Sequence, residues 1–581
     1  MIFIDIETNS VFRNYAELEE LKIFCIVCVE ESGKVHTFYP PRLNDFLYYY
    51  EQNKSETFVA HNMLGFDALV LEHVMGVRIE YTLDTLLLSQ LLFPDLINYD
   101  AQANARLLPK KYWGLHSLEA WGKRIGFPKT EFKDFTGYTP EMLEYCLNDT
   151  LLLKVLHNHL TNHSRNSISF ESIKLEHEFK KYTMLQTLEG VPYDVSRSQD
   201  IIKTLNEDFN EITKWAQDTL PYKEIAYKRQ NKPPKIIYFN PTSRDQVGEF
   251  FKKKYDWNPS YVTPKAGKPK ISEEILESLP FEEAKTFMKA FQINKLKGFL
   301  STGDSSWSKH YCNYTGRIHG VINTLGTATG RCAHHSPNLG QVPSVRSYMG
   351  SEIRALFHAG EYGYTLVGCD ASSLELRCLA HYLYAYDGGE YASLVLDGDV
   401  HTYNQKAAGL ATRDQAKTFI YAMIYGAGNI KLGSIINPSA PSYKQETLGR
   451  SARNSFLDKI NGYKILNQTI QDRLSTKGYL RAIDGRNIYV EKTHTALNYL
   501  LQSCGAIIMK QATVLFYERA KHLIKPCLHV HDEFQVICKN EDAHQVGELA
   551  VKSIQDTQSI LGFKLRLDGE YKVGYSWDKT H

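Results

Sequence analysis

Apolar and acidic residues take turns at the start of the chain. In Ile2-Phe3-Ile4-Asp5-Ile6-Glu7 the alternation has the period of a strand with one face on a core, so Asp5 and Glu7 point the same way. Two more β-branched runs follow, Lys22–Glu30 (KIFCIVCVE) and Glu56–Asn62 (ETFVAHN). Helical patterns then appear at Leu118–Phe127 and Glu141–Leu160. This mixture predicts an α/β domain ending near Asn162, with the polar stretch Thr161–Ser169 as its boundary. A long helical region comes next, interrupted by the turn Glu189–Asp194 (EGVPYD) and by the basic, Pro-rich Asn231–Lys235. No internal repeat or low-complexity tract is evident.

Three patterns mark the second half. Leu366–Ala380 reads as an apolar strand that delivers Asp370 and turns into a helix containing Glu375. Cys527–Cys538 has two apolar runs flanking His531, Asp532 and Glu533, as in a tight hairpin. Between them, Arg413, Lys417, Tyr421 and Tyr425 recur every four residues. On a helix each step drifts by about 40°, so the four form one broad stripe roughly 18 Å long. A stripe that is basic at one end and aromatic at the other is not a core pattern. Its basic end, nearer the helix N-terminus, suits a triphosphate, and its aromatic end suits a sugar and a base.

Length and composition set the frame. At 581 residues the chain exceeds what one core organises, so two or more domains are expected. The formal charge of +1 gives no sign of a nucleic-acid protein, but acidic metal sites cancel basic grooves in such a sum. Locally, Tyr222–Lys270 is strongly basic, with Lys223, Lys228, Arg229, Lys232, Lys235, Arg244, Lys252, Lys253, Lys254, Lys265, Lys268 and Lys270. A solvated surface would give the same charge run. The ten cysteines are scattered, and the one CxxC, Cys25 to Cys28, sits in an apolar run and is assigned to packing, with reduced thiols expected throughout. No stretch has the apolar length of a membrane span, and the acidic start MIFIDIETNS lacks the basic region of a targeting signal. A protein of the host cytoplasm, with its functional chain beginning almost at Met1, is the expectation.

The acidic pair on the first strand gains meaning from two later segments: Asn62 to Asp67, ending in Phe66-Asp67, and Tyr145 with Asp149 at helical i, i+4 spacing. DxE, NxxxFD and YxxxD in this order resemble the three exonuclease motifs of the DnaQ-like superfamily in its tyrosine form. The resemblance implies that Asp5, Glu7, Asp67 and Asp149 hold two divalent metals and that Tyr145 orients the attacking water. Hard oxygen ligands suit Mg²⁺ or Mn²⁺ in such phosphoryl chemistry. Asp84 also resembles an acidic position of these domains, in a supporting role.

The second half resembles family A DNA polymerases, the bacterial polymerase I group, and within it most closely the replicative polymerases of short-tailed phages. Four segments match in order, and the similarity also covers Glu189–Asp194, Phe239–Phe251 and the ending GYSWDKTH. The match implies that Arg331 and Gln341 contact primer and template, and that Asp370, the Ala371 carbonyl and Asp532 hold two Mg²⁺ or Mn²⁺. Glu375 becomes the gate against a ribose 2′-hydroxyl. Arg413, Lys417 and His401 take the phosphates, Tyr421 the sugar, and Tyr425 stacks by the templating base. His531 touches the primer end, Glu533 is a near neighbour rather than a strict ligand, and Asn498 and Gln502 contact DNA.

The architecture implied is multidomain α/β and α+β. An RNase H-like exonuclease domain (1–165) is followed by a right-hand polymerase: linker helix and thumb (166–320), palm (321–385 and 495–581) and fingers (386–494). The substrates implied are primer-template DNA and deoxynucleoside triphosphates, and a phage helicase-primase and single-stranded DNA-binding protein are admissible partners. Relatives that recruit host thioredoxin use a long thumb insertion. Only a short basic stretch separates Trp215 from Phe239 here, so thioredoxin is not expected. The Lys-rich thumb would instead grip the duplex directly. A 5′-nuclease is not expected, because exonuclease chemistry already starts at Asp5. Two rival readings are a single-subunit RNA polymerase, opposed by Glu375 and the exonuclease, and a processing exonuclease with a non-catalytic nucleic-acid-binding module, opposed by intact Asp370, Lys417 and Asp532.

Overall fold

Strand β1 (Ile2–Thr8) realises the opening alternation, with Asp5 and Glu7 half-buried and Ile4, Ile6 and Thr8 buried around them. The computed structural model describes the chain except residues 104–107, 128–129, 131, 221–222, 226–234, 258–270 and 439, and describes only the backbone of 223–225, 235–237 and 274. Beside β1 lies β2 (Ile23–Glu30), apolar on both faces because both are covered, with Cys25 and Cys28 fully buried in it. Strands β3 (Val35–Phe38), β4 (Phe58–Ala60) and β5 (Thr82–Asp84) complete a sheet of order β3-β2-β1-β4-β5. The β1–β2 and β2–β3 pairs are antiparallel, and β1–β4 and β4–β5 are parallel. The helix Asp67–Met75 makes the crossover between β4 and β5. A longer helix, Pro140–Asn162, starts at the Thr139 cap with Pro140 in its first turn and packs across β1 and β2.

The helix Phe170–Glu189, here the connecting helix, leads out of this domain. It packs against the helix Thr85–Leu92 on one side and against the strand Ile524–Val530 and the helix Ala496–Ala520 on the other. Enclosure from several directions explains why polar residues such as Glu176, His177, Thr183 and Gln186 are buried along it. Beyond it, the helices Val195–Thr219, Arg244–Tyr255 and Glu282–Lys297 enclose a separate, phenylalanine-rich core containing Phe239, Phe250, Phe251 and Phe287.

The largest core surrounds a second sheet. Its four strands lie in the order Ile524–Val530, Glu533–Lys539, Tyr364–Ala371, Gly569–Gly574, every neighbour antiparallel. Behind the sheet run the long helices Ala496–Ala520 and Ala543–Leu561. The helix Leu374–Asp387 crosses the expected palm–fingers boundary at 385/386, and its Leu376 and Leu379 share one core with Phe419, Ile420 and Ile507. Among the described residues, no helix is long and apolar enough to cross a membrane.

Candidate functional site

Two strand ends bring the second-half acids together. Asp370 stands at the end of the central strand Tyr364–Ala371, and Asp532 occupies the two-residue turn between Val530 and Glu533. That turn is tight enough to hold His531 at φ +57°, in the left-handed region. Asp370 pairs with Glu533 across the sheet, and the Ala371 N–H donates to the Asp532 carbonyl at 3.1 Å. Partial enclosure, and after it the neighbouring carboxylates, push Asp370 up to about 7 and Asp532 up to about 6. Oxygen donors crowded in this way fit a divalent cation, which relieves their mutual repulsion.

Glu533 has other commitments. Its buried carboxylate accepts from the Trp577 indole N–H at 2.6 Å and from the Gln535 amide, and it pairs with His581 at 2.6 Å. Burial alone would raise it, but these partners outweigh burial and hold it below the usual carboxylate range. It anchors the C-terminal segment to the sheet.

Glu375 opens the helix Leu374–Asp387 and accepts a hydrogen bond from the Tyr425 hydroxyl. Arg331 lies 3.8 Å from the same carboxylate, with its guanidinium 5.7 Å from the centre of the Tyr425 ring. The Asn498 side chain donates to the Ile424 carbonyl at 2.6 Å, and Gln502 donates to Asn498 at 3.0 Å. Both residues therefore tie the helix Ala496–Ala520 to a carbonyl left unsatisfied at the end of the helix Arg413–Ile424. Gln341 is exposed at the end of the short 3₁₀ helix Leu339–Gln341, next to Gly340, against which His334 packs. The charge of Arg331 lies close to His531, whose ring is held below the usual histidine range by burial first and by Arg331 next.

The predicted stripe forms on the helix Arg413–Ile424, capped by the Thr412 hydroxyl. It ends one residue earlier than the pattern implied: Tyr425 is the C-cap, its N–H bonded back into the last turn. Lys417 is exposed. The rings of His401 and Tyr421 are 6.5 Å apart, and burial followed by the charges of Arg413 and Lys417 depresses His401. Arg413 also pairs with Asp399 at 3.2 Å, a partner absent from the sequence reading. Asp399 caps the helix Val400–Ala408, and hydrogen bonds from Thr402, with help from Arg413, hold it down at about 2. The Asp just before Val400-His401 was its only signal, that of an ordinary helix cap.

In the first domain, Asp67 begins its helix in a buried position, and burial, then Asp5, keep its carboxyl far above the usual range. Asp149 is buried one turn beyond Tyr145 in the helix Pro140–Asn162, and the Tyr145 ring packs against Phe132 at 5.8 Å. The sequence reading also missed Cys146. Its thiol donates to the Asp5 carbonyl at 3.4 Å, and it joins Asp5 and Glu7 in a group whose possible ligand atoms lie within 4.8 Å of one another. Asp84 is an organiser: its carboxylate accepts from the N–H groups of Asn62 (3.1 Å), Leu64 (3.1 Å) and Leu86 (2.9 Å). It thereby fixes the turn that leads into Asp67. Asn62 sits at φ +72° in that turn, and a Cβ on Gly65 would lie 2.2 Å from its side chain.

The basic thumb is described only in part. Lys228, Arg229, Lys232, Lys265, Lys268 and Lys270 lie outside the described residues, and Lys223 and Lys235 are described as backbone only. Lys252 and Lys253 are exposed, whereas Lys254 pairs with Glu283 and lies 5.2 Å from the Tyr255 ring. Lys254 thus has an intramolecular partner that the charge run did not reveal.

A central antiparallel sheet with crowded acids at its strand ends, faced by a helix striped with cations and aromatics, defines the palm and fingers of a right-hand polymerase. The chain belongs to DNA polymerase family A, whose family description matches residues 223–579. It is 29% identical to DNA-directed DNA polymerases of Enterobacteria phage T3 and Escherichia phage T7, over all of this chain and all of each relative. Those alignments run over 724 and 726 positions, so both relatives carry segments that this chain lacks. The thermostable DNA polymerase I of Thermus aquaticus is 28% identical over 58% of this chain and 42% of its own. The polymerase domain of Pol1 from M. smegmatis, solved with DNA primer-template and dNTP, shares the fold with a TM-score of 0.73 at 17% identity, covering 100% of this chain and 96% of that one.

Proposed function

We propose that this chain is a phage DNA-directed DNA polymerase that extends a primer on a template and edits its product with a 3′→5′ exonuclease. The observation that carries the reading is the meeting of Asp370 and Asp532 at adjoining strand ends. Asp370, Asp532 and the Ala371 carbonyl would hold two Mg²⁺ or Mn²⁺ ions. When bound, they would supply Lewis-acid chemistry, lowering the pKa of the primer 3′-hydroxyl and screening the triphosphate and leaving pyrophosphate.

The chain's own residues do the rest. Arg413, Lys417 and His401 bind the triphosphate, and Lys417 gives a proton to the leaving pyrophosphate. Tyr421 lies along the sugar, and Tyr425 stacks beside the templating base. Glu375, held by the Tyr425 hydroxyl, fills the space of a ribose 2′-hydroxyl. Arg331, Gln341, Asn498, Gln502 and His531 meet the DNA. For Asn498 and Gln502 this requires contacts beyond the bond that Asn498 makes to Ile424 and the one that Gln502 makes to Asn498.

In the editing site, Asp5, Glu7, Asp67 and Asp149 would hold two divalent metals, and Tyr145 would orient the attacking water. Binding alone discriminates poorly between similar nucleotides, so a tethered second site adds selectivity. Residues 1–165 are then the exonuclease, 166–320 the linker helix and thumb, 321–385 with 495–581 the palm, and 386–494 the fingers. A helicase-primase and a single-stranded DNA-binding protein are admissible partners, and direct thumb contacts take the place of a thioredoxin clamp.

The deciding experiment measures pyrophosphate release on primed and unprimed DNA, with deoxynucleotides and with ribonucleotides. Release that needs both primer and deoxynucleotide is the expected result. Unprimed synthesis from ribonucleotides would identify an RNA polymerase, and nuclease activity without any release would leave only a processing exonuclease.

A further inference from the structure

Four charged residues that none of the chemistry above uses are buried together beneath the palm. Glu176 is 0%, Lys510 1%, Arg486 4% and Asp484 7% exposed. The Glu176 carboxylate accepts from Lys510 at 2.6 Å and from Arg486 at 2.6 Å, and Arg486 also holds Asp484 at 2.6 Å. Two acids and two bases make the quartet neutral.

The quartet joins the connecting helix to two elements more than 300 residues away: the segment after the strand Leu480–Arg481 and the long helix Ala496–Ala520. Buried ion pairs are poor sources of stability, since apolar residues of similar size often do as well or better. What they fix well is geometry, because each charge has few tolerable positions.

Both charged arms reach the same loop. The strands Val321–Asn323 and Ala333–His335 pair as a hairpin, and residues 324–332 connect them. Lys510 donates to the Thr324 carbonyl at 2.8 Å, where the loop begins. Arg486 packs where it ends: a Cβ on Gly330 would lie 3.0 Å from the guanidinium, and Gly330 is at φ +77°. Within the loop, the Thr327 hydroxyl accepts from the Arg331 N–H at 3.0 Å. Arg331 then extends to Glu375 and the Tyr425 ring.

We propose that Glu176, acting through Lys510 and Arg486, is a positioning residue that clamps the loop at both ends and so sets Arg331 against Glu375 and Tyr425. The inference rests on the polymerase reading. It makes a residue of the connecting helix a determinant of nucleotide addition, although that helix contributes nothing to the four polymerase motifs.

Removing one charge alone would strand its partner and endanger the fold, so the informative variant is Glu176→Gln with Lys510→Met, which keeps the site neutral and leaves Arg486 paired with Asp484. Single-nucleotide addition to primed DNA should fall at least tenfold in kcat/KM. In an Arg331→Ala background the same double change should cost no more than about twofold, because the clamp acts through Arg331. Amide hydrogen exchange should speed up in residues 324–331 while 170–189 stays protected. Three results would overturn the proposal: unchanged addition, a loss that multiplies fully with Arg331→Ala, or deprotection spread evenly over the whole chain. Failure of the unsubstituted protein to add a deoxynucleotide would count instead against the polymerase reading itself.

Discussion

The N–H of Ala371 donates to the carbonyl of Asp532 across 3.1 Å, and this backbone bond brings the two palm carboxylates to neighbouring strand ends. Removing either acid leaves the sheet intact and takes away half of the oxygen pair. Asp370→Ala or Asp532→Ala should lower primer extension by about 100-fold or more, as expected for the loss of several kcal/mol of transition-state stabilisation. Degradation of single-stranded DNA by the same variants should persist. Parallel extension and degradation assays check this, and joint loss of both activities contradicts separate sites.

The reverse separation is expected in the first domain. Asp5→Ala combined with Glu7→Ala removes two acids from the group that includes Cys146, while the palm lies on another sheet. Degradation should drop by about 100-fold or more with extension preserved. Exonuclease dependence on Mg²⁺ and Mn²⁺, measured for the parent and this variant, is the direct check.

Tyr421 lies close enough to Glu375, Asp532 and Asp370 for burial and their charges together to push its hydroxyl up to about 12, so it stays a protonated donor at neutral pH. Such a hydroxyl can stand in for the missing 3′-hydroxyl of a dideoxynucleotide. The protein should therefore accept dideoxynucleotides readily, and Tyr421→Phe should reduce their use relative to deoxynucleotides by roughly 10- to 100-fold, the worth of one good hydrogen bond. Competition between the two substrates in a termination assay reads this ratio. Strong discrimination by the unsubstituted protein would count against Tyr421 as the sugar sensor.

His529 gives stability a defined pH dependence. Burial pushes its ring down to about 3, from an ordinary value near 6.5. The unfolded chain thus takes up a proton that the folded chain refuses, so the stabilising effect is complete above 6.5 and is lost as pH falls towards 3. Each pH unit in that window costs about 1.4 kcal/mol. Between pH 7 and pH 5 the urea midpoint should fall, and His529→Gln should flatten the fall by about 2 kcal/mol.

For the thumb, the exposed Lys252 and Lys253 differ from the paired Lys254. Lys252→Ala with Lys253→Ala should reduce the salt slope of DNA binding by about 2, and Lys254→Ala should change it little. A salt titration of duplex affinity distinguishes the two.

Much of the site was legible because the chemistry follows local periodicity. Alternation placed Asp5 and Glu7 on one strand face, and the four-residue step from Arg413 to Tyr421 formed the predicted helical stripe. What escaped depends on long-range contact. Glu176 and Lys510 lie 334 residues apart, and the helix that carries Glu176 is enclosed on several sides, which erases the periodicity that would distinguish a working face. Nothing local singled out Asp399, whose partner Arg413 is 14 residues on, or Cys146, which meets Asp5 from another element 141 residues away.

The connecting helix carries a practical lesson for anyone wishing to exchange one half of the protein for another. Glu176 belongs to the buried quartet beneath the palm, while the adjacent His177 accepts the Asp84 N–H at 2.9 Å and so supports the turn before Asp67. A splice at residue 165 would sever His177 from its partner. A transplantable first domain has to include Phe170–Glu189, and whatever receives it must offer that helix a matching lysine and arginine.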